Sequence, residues 1–146
     1  MKKILFWVVG IAIAIQFIRP DFTNAKVDDT VALNTDHKTM NVLKTSCYDC
    51  HSNETKYPWY HDVAPMSWMM SSNIEAGRKA LDFSNWANID TKVRLDRLKR
   101  AKQLVNNEMM PKSEYLIMHD NAVLDKEKKE TLEQFFDAQI KELSNI

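Results

Sequence analysis

Apolar residues recur at three- and four-residue steps through most of the chain after residue 38, and this spacing is typical of amphipathic helices. The first such segment covers residues 39–45, where Met40 and Leu43 form a short apolar face. A second helix is predicted to begin at Pro65, because the first turn of a helix tolerates proline, and to run to Leu81.

Two longer helices are predicted in the second half of the chain, one capped by Thr91 and a last one capped by Asp125. We expect the last helix to pack on the first. The apolar faces of these two helices consist of Leu95, Leu98, Ala101, Leu104 and Val105, and of Leu132, Phe135, Phe136, Ile140 and Leu143.

The composition favours helices over strands, since two glycines and four prolines without an internal repeat do not suit a sheet built on tight turns. The predicted fold class is therefore all-α, with one small domain. Twenty basic and twenty acidic residues are interspersed, so no basic stripe indicates a nucleic acid as partner. The oligomeric state stays open.

The N-terminus has a different pattern, in which Lys2 and Lys3 precede an apolar run from Ile4 to Ile18. This pattern is typical of an export element. A helix over residues 1–20 would be about 30 Å long, enough to cross a bilayer. We therefore predict a retained signal anchor at 1–20, a polar tether at 21–38 and a domain at 39–146. A cleaved signal peptide is the alternative.

The two lysines are expected to stay in the cytoplasm, so the chain would be a single-pass cell-membrane protein with its domain on the periplasmic side. Cleavage after Ala25 would instead give a soluble periplasmic protein.

The motif Cys47-Tyr48-Asp49-Cys50-His51 follows the first predicted helix and is the attachment signature of a c-type haem. Each thiol of Cys47 and Cys50 can bond to one haem vinyl group, while the imidazole of His51 binds the iron on the proximal side. The predicted cofactor is one covalently attached haem c, and the fold becomes a small cytochrome c-like helical domain around it.

Three other interpretations of the motif have to be weighed. A zinc site could use Cys47, Cys50, His51 and His61, although adjacent Cys50 and His51 do not suit two tetrahedral corners. A dithiol redox pair would be expected after a strand in a βαβ pattern rather than after a helix. A structural disulfide over so short a loop restricts the unfolded chain little and does not explain His51.

The second axial position of the iron decides between electron transfer and ligand chemistry. Met110 is the preferred distal ligand, because Pro111 restricts its backbone and biases it towards an extended conformation. Met109, His119, His61 and an open site are the alternatives. Arg78 is a candidate partner for a haem propionate, since guanidinium pairs with carboxylate in a bidentate fashion.

These residues together resemble the bacterial "haem-binding domain" family of small monohaem c-type cytochromes. The resemblance covers the chain from about residue 41 to the last helix, and Ile15 to Pro20 is similar to the family's anchor end. It departs from the family at Asp82, where Asn is expected, and at Asn73, where His would be unsurprising. The matching elements are Cys47 to Thr55, Tyr57-Pro58-Trp59-Tyr60, Pro65, Ser67-Trp68, Gly77-Arg78, Leu81 to Ser84, Trp86, Met110-Pro111, Tyr115, His119 and Ala122.

The resemblance implies haem binding through Cys47, Cys50 and His51, with Met110 as the distal match. The predicted function is a membrane-tethered electron-transfer protein that exchanges electrons with redox partner proteins and is not an enzyme. A haem enzyme or gas sensor with an open distal iron site, such as a peroxidase-like protein, is the alternative.

Overall fold

The computed structural model describes residues 1–145, and over that range the chain is built from helices with no strand. The all-α prediction is therefore confirmed. The α-helices are α1 (Lys2–Ala14), α2 (His37–Ser46), α3 (Tyr48–His51), α4 (Met66–Ala80), α5 (Thr91–Asn106), α6 (Ser113–Leu116) and α7 (Lys126–Ser144), with 3₁₀ turns at Ile15–Phe17, Phe83–Asn88 and Asp120–Ala122.

Aspartate residues begin the three helices that form the core. Asp36, Asp90 and Asp125 each accept hydrogen bonds from backbone N–H groups two or three positions further along, at 2.8 to 3.3 Å. These bonds satisfy donors that have no partner within the helix. The cap at Asp125 was predicted correctly. The α5 cap is Asp90 rather than Thr91, because the Asp90 carboxylate reaches the free amides of the first turn.

Helix α7 packs on both α5 and α2. Leu43, Leu98 and Leu132, one from each helix, are fully buried at the centre of this core. The expected packing of the last helix on the first helix of the domain is confirmed. Helices α3 and α4 form a second layer beside this core, with α4 packed on α3.

Residues 21–36 contain no helix but lie on the domain surface. The backbone N–H of Leu33 donates to the carbonyl of Phe83 at 2.7 Å, and the side chain of Leu33 is buried. The side-chain amide of Asn24 donates to the carbonyl of Thr55 at 2.9 Å. This segment is therefore in contact with the domain over much of its length and is not a free tether. The boundaries at residues 20 and 38 stay predictions.

The apolar N-terminal helix α1 ends at Ala14, and one 3₁₀ turn follows it. The side-chain amide of Gln16 then donates to the carbonyl of Ala64 at 3.2 Å and accepts from its N–H at 3.0 Å. The indole N–H of Trp68 donates to the carbonyl of Ile18 at 2.7 Å. These bonds attach the chain to the domain where a longer helix was expected.

No helix within residues 1–145 has the length and apolar character needed to cross a membrane. The predicted membrane-spanning anchor over residues 1–20 is thus not supported by the structure.

Candidate functional site

The two cysteines and His51 lie on one turn that directly follows α2. The N–H groups of Cys50 and His51 both donate to the carbonyl of Cys47, at 3.2 and 3.0 Å, which closes the short helix α3. All three side chains line the same cavity. The turn therefore presents two thiols and one imidazole to a common space.

Close packing of α4 on α3 fixes the position of this turn. Gly77 is buried, and a Cβ atom at this position would overlap the carbonyl oxygen of Cys50 and lie 3.1 Å from its Cβ. Only glycine therefore permits the backbone of α4 to approach the motif so closely. Glycine is needed at this position because it has no side chain. Its conformational freedom is not used, since α4 has ordinary helical geometry at this point.

The imidazole of His51 is oriented by a hydrogen bond from its second nitrogen. Its Nδ1 lies 2.9 Å from the carbonyl oxygen of Leu81, and because a carbonyl only accepts, Nδ1 carries the proton. Nε2 is then an unprotonated donor of an electron pair, as a metal-binding histidine requires. Burial lowers the pKa of His51, which also favours the neutral ring.

The cavity has a volume of about 320 Å³ and is lined mainly by apolar groups. Five of the chain's eight methionines contribute to it, together with residues of α4, α5 and α6. Such a space suits a large, flat, hydrophobic group with a few polar contacts at its edge. The methionines are Met66, Met69, Met70, Met110 and Met118.

The thiols of Cys47 and Cys50 do not have the lowered pKa of a redox dithiol. Burial raises the pKa of Cys47 to about 12 and that of Cys50 to about 11, so both stay protonated at neutral pH. A dithiol catalyst depends on a lowered thiol pKa. Burial of the two thiols therefore argues against the dithiol interpretation.

The zinc interpretation is not supported either. Among residues 1–145, no group of three or more His, Cys, Asp and Glu side chains is placed to hold a metal ion. His61, the fourth ligand that this interpretation needs, is absent from the cavity lining, and its Nδ1 is 2.7 Å from the carbonyl of Pro58.

Of the candidate distal ligands, Met110 and His119 line the cavity, whereas Met109 and His61 do not. Met110 is partly buried and packs against the core, while Met109 is 60% exposed. His119 stacks on Tyr115 with ring centroids 4.0 Å apart, and its Nδ1 lies 3.0 Å from the carbonyl of Tyr115.

Arg78 is not part of the cavity lining. Its guanidinium donates to the carbonyl of Ser52 at 2.8 Å, and to side-chain oxygens of Asn24 and Thr55 at 3.0 Å each. Arg78, the predicted propionate partner, thus joins the loop after His51 to α4 and also contacts residue 24.

Three other basic side chains line the cavity, and sequence reasoning did not identify them for this role. Lys56 follows the motif, Arg100 belongs to α5, and Lys112 follows Pro111. Exposed cationic groups beside an apolar cavity can pair with carboxylates of a bound group. No local signal marked them, because they come from three separate segments and are surrounded by other charged residues.

The all-helical domain has a cavity that presents two thiols, an imidazole and several thioethers, which are groups that haem-binding proteins use. The chain is a member of the haem-binding domain family, whose pattern matches residues 10–138. No curated protein and no solved structure matches the chain.

Proposed function

We propose that this haem-binding protein is a c-type cytochrome, in which Cys47 and Cys50 attach one haem covalently and His51 binds its iron. The observation that carries the proposal is that both thiols and an imidazole with a free Nε2 meet in one apolar cavity. Each thiol adds across one vinyl group, so that sulfur bonds to one vinyl carbon and hydrogen to the other. This addition needs no oxidant.

Met110 is the proposed distal ligand. It packs against the core and lines the same cavity as His51, so a thioether and an imidazole are available to one bound group. Ligation by Met110 as well as His51 would raise the reduction potential of the iron and would leave no open position for a substrate.

Electron transfer is the proposed activity, with redox partner proteins as the partners. Bound haem supplies an iron centre that cycles between the ferrous and ferric states. The residues of the chain have the tasks of attachment, ligation and exclusion of water, and the methionine-rich lining serves the last of these. The proposed protein is therefore a carrier and not an enzyme.

An optical spectrum tests the distal ligand, and with it the choice between a filled and an open iron site. The protein is produced with a cytochrome c maturation system and measured in both oxidation states, with and without carbon monoxide. We expect a weak ferric charge-transfer band at the red end of the spectrum and little carbon monoxide binding. Met110→Ala should abolish the band and admit carbon monoxide, whereas Met109→Ala, at the exposed neighbour, should leave both unchanged.

Ready binding of carbon monoxide by the wild-type protein would contradict six-coordinate iron. In that case the open-site alternative, a haem enzyme or gas sensor, would be preferred.

Export and membrane attachment through the N-terminal segment are also proposed, with the haem domain on the periplasmic side. Support comes from Lys2 and Lys3 before an apolar run, and from α1, which has no buried residue. Mass spectrometry of the mature protein from membrane and soluble fractions tests this. A mature chain that begins after Ala25 and is found only in the soluble periplasm would contradict a retained anchor.

A further inference from the structure

Residues 110–119, which we call the distal segment, are joined to the haem-attachment turn by one long-range hydrogen bond. The hydroxyl of Tyr115 donates to Oδ2 of Asp49 at 2.7 Å, across 66 positions of sequence. Asp49 stands between the two cysteines, and Tyr115 lies in α6, five residues after Met110. The bond thus connects the part of the chain that carries the proximal ligand to the part that carries the proposed distal ligand.

Both partners of this bond are held in place by further contacts. Oδ1 of Asp49 accepts from the N–H of Lys56 at 2.9 Å, and its backbone carbonyl accepts from the hydroxyl of Thr55 at 2.8 Å. The ring of Tyr115 is stacked on His119 at an interplanar angle of 10°. Asp49 therefore offers a fixed acceptor to a hydroxyl whose ring is itself oriented.

The distal segment has few other polar links to the layer formed by α3 and α4. Lys112 donates to the side-chain oxygen of Asn73 in α4 at 2.8 Å, but this bond is exposed to solvent. The Asp49 bond is partly buried, so water competes with it less than with the exposed bond of Lys112. It also lies at the cavity wall, since Asp49 and Tyr115 both line it.

We propose that the Asp49–Tyr115 hydrogen bond positions Met110 for ligation, so that Tyr115 is a positioning residue for the distal side of the haem. This inference rests on the proposed function, in which Met110 is the distal ligand. Without the bond, the distal segment is free to move away from α3, and the thioether of Met110 spends less time within bonding distance of the iron.

Tyr115→Phe tests the proposal because it removes one hydroxyl and keeps the ring that stacks on His119. The expected result is a protein that still carries covalent haem but has a weakened ferric charge-transfer band. Its ferrous form should bind carbon monoxide at least about tenfold more tightly than the wild type, the equilibrium equivalent of losing one hydrogen bond to a charged acceptor.

Tyr57→Phe is the matched control. Tyr57 does not line the cavity, and its hydroxyl donates to Oδ1 of Asn24 at 3.1 Å, so the substitution also removes one tyrosine hydrogen bond but away from the haem site. The control should retain the band and the weak carbon monoxide binding. Equal effects of the two substitutions would indicate a general loss of packing and would overturn the positioning role.

Asp49→Ala removes the acceptor of the same bond and provides a second variant if Tyr115→Phe does not fold. It should reproduce the weakened band, and Tyr115→Phe added to Asp49→Ala should change the spectrum no further, since the two residues act through one bond. Full additivity of the two effects would contradict the proposal.

The failure of this inference can be distinguished from failure of the proposed function. A wild-type band that Tyr115→Phe leaves intact overturns the positioning role alone. A wild-type protein with covalent haem but without the band overturns Met110 as ligand, and the positioning role with it.

Discussion

At the scale of single residues, the site depends on contacts between residues that are far apart in the sequence. His51 contributes one nitrogen to the proposed iron site, but the carbonyl of Leu81 determines which nitrogen that is. Gly77 contributes no side chain, and its absence of a Cβ lets α4 lie against Cys50. Both effects require knowledge of the fold, since neither neighbour is close in sequence.

Gly77→Ala should destabilise the protein by about 1 to 3 kcal/mol, because the added methyl group overlaps the carbonyl of Cys50 and must push α4 away from α3. The measurement is urea unfolding of the holoprotein, together with the yield of covalent haem, which should fall. Gly10→Ala is the matched control, since nothing lies within 4 Å of the added Cβ in α1. Unchanged stability of Gly77→Ala would contradict the close approach.

The residue type of Arg78 indicates what its side chain can bind, but only the fold shows which groups it reaches. The sequence predicted that its guanidinium pairs with a haem propionate, because guanidinium binds carboxylates in a bidentate fashion, and that contact stays a prediction. The bonds of the guanidinium to Ser52, Thr55 and Asn24 could not be predicted, since only the fold brings these residues around it.

At the scale of elements, the long helices were predictable and the short ones were not. Helices α2, α4, α5 and α7 each run for ten or more residues, so their apolar period is visible in the sequence. Helices α3 and α6 have four residues each, too few to show a period. These two short helices carry much of the candidate site, which is why its arrangement needed the structure.

The loop between α3 and α4 is the element that Arg78 stabilises. Arg78→Leu removes three hydrogen bonds but keeps an apolar stem, and it should lower the free energy of unfolding by about 2 kcal/mol. We expect the ferric charge-transfer band to be retained in the protein that stays folded, since Arg78 does not line the cavity. Differential scanning calorimetry and the optical spectrum measure the two effects.

Lys79→Leu is the control for that substitution, because Lys79 is the exposed next residue of α4. It should unfold at nearly the wild-type temperature. A loss of stability as large as that of Arg78→Leu would show that the charge of the helix end matters, and not the bonds to the loop.

At the scale of the whole molecule, the centre of the core and the cavity are formed by different residues. The core is formed by α2, α5 and α7 around Leu43, Leu98 and Leu132, none of which lines the cavity. The cavity lies mainly against α3, α4 and the distal segment, with Arg100 and Leu104 of α5 also in its wall. The core should therefore form without haem, and α3, α4 and the distal segment should gain the most order when haem is attached.

Leu98→Ala should destabilise the apoprotein and the holoprotein by similar amounts, about 2 to 5 kcal/mol, because it opens a space in the core away from the cavity. Urea unfolding of both forms gives the two values. Val93→Ala, on the same helix at a 41% exposed position, is the control with a small expected effect. Destabilisation confined to the holoprotein would contradict the separation of core and cavity.

Covalent attachment of haem by Cys47 and Cys50 is the central claim, and the intact mass of the protein tests it most directly. After production with a cytochrome c maturation system and extraction with acid acetone, the wild-type chain should keep its colour and the added mass of one haem. The double variant Cys47→Ser, Cys50→Ser should lose both. A wild-type chain that releases its haem into acid acetone and shows only the mass of the polypeptide would contradict the claim.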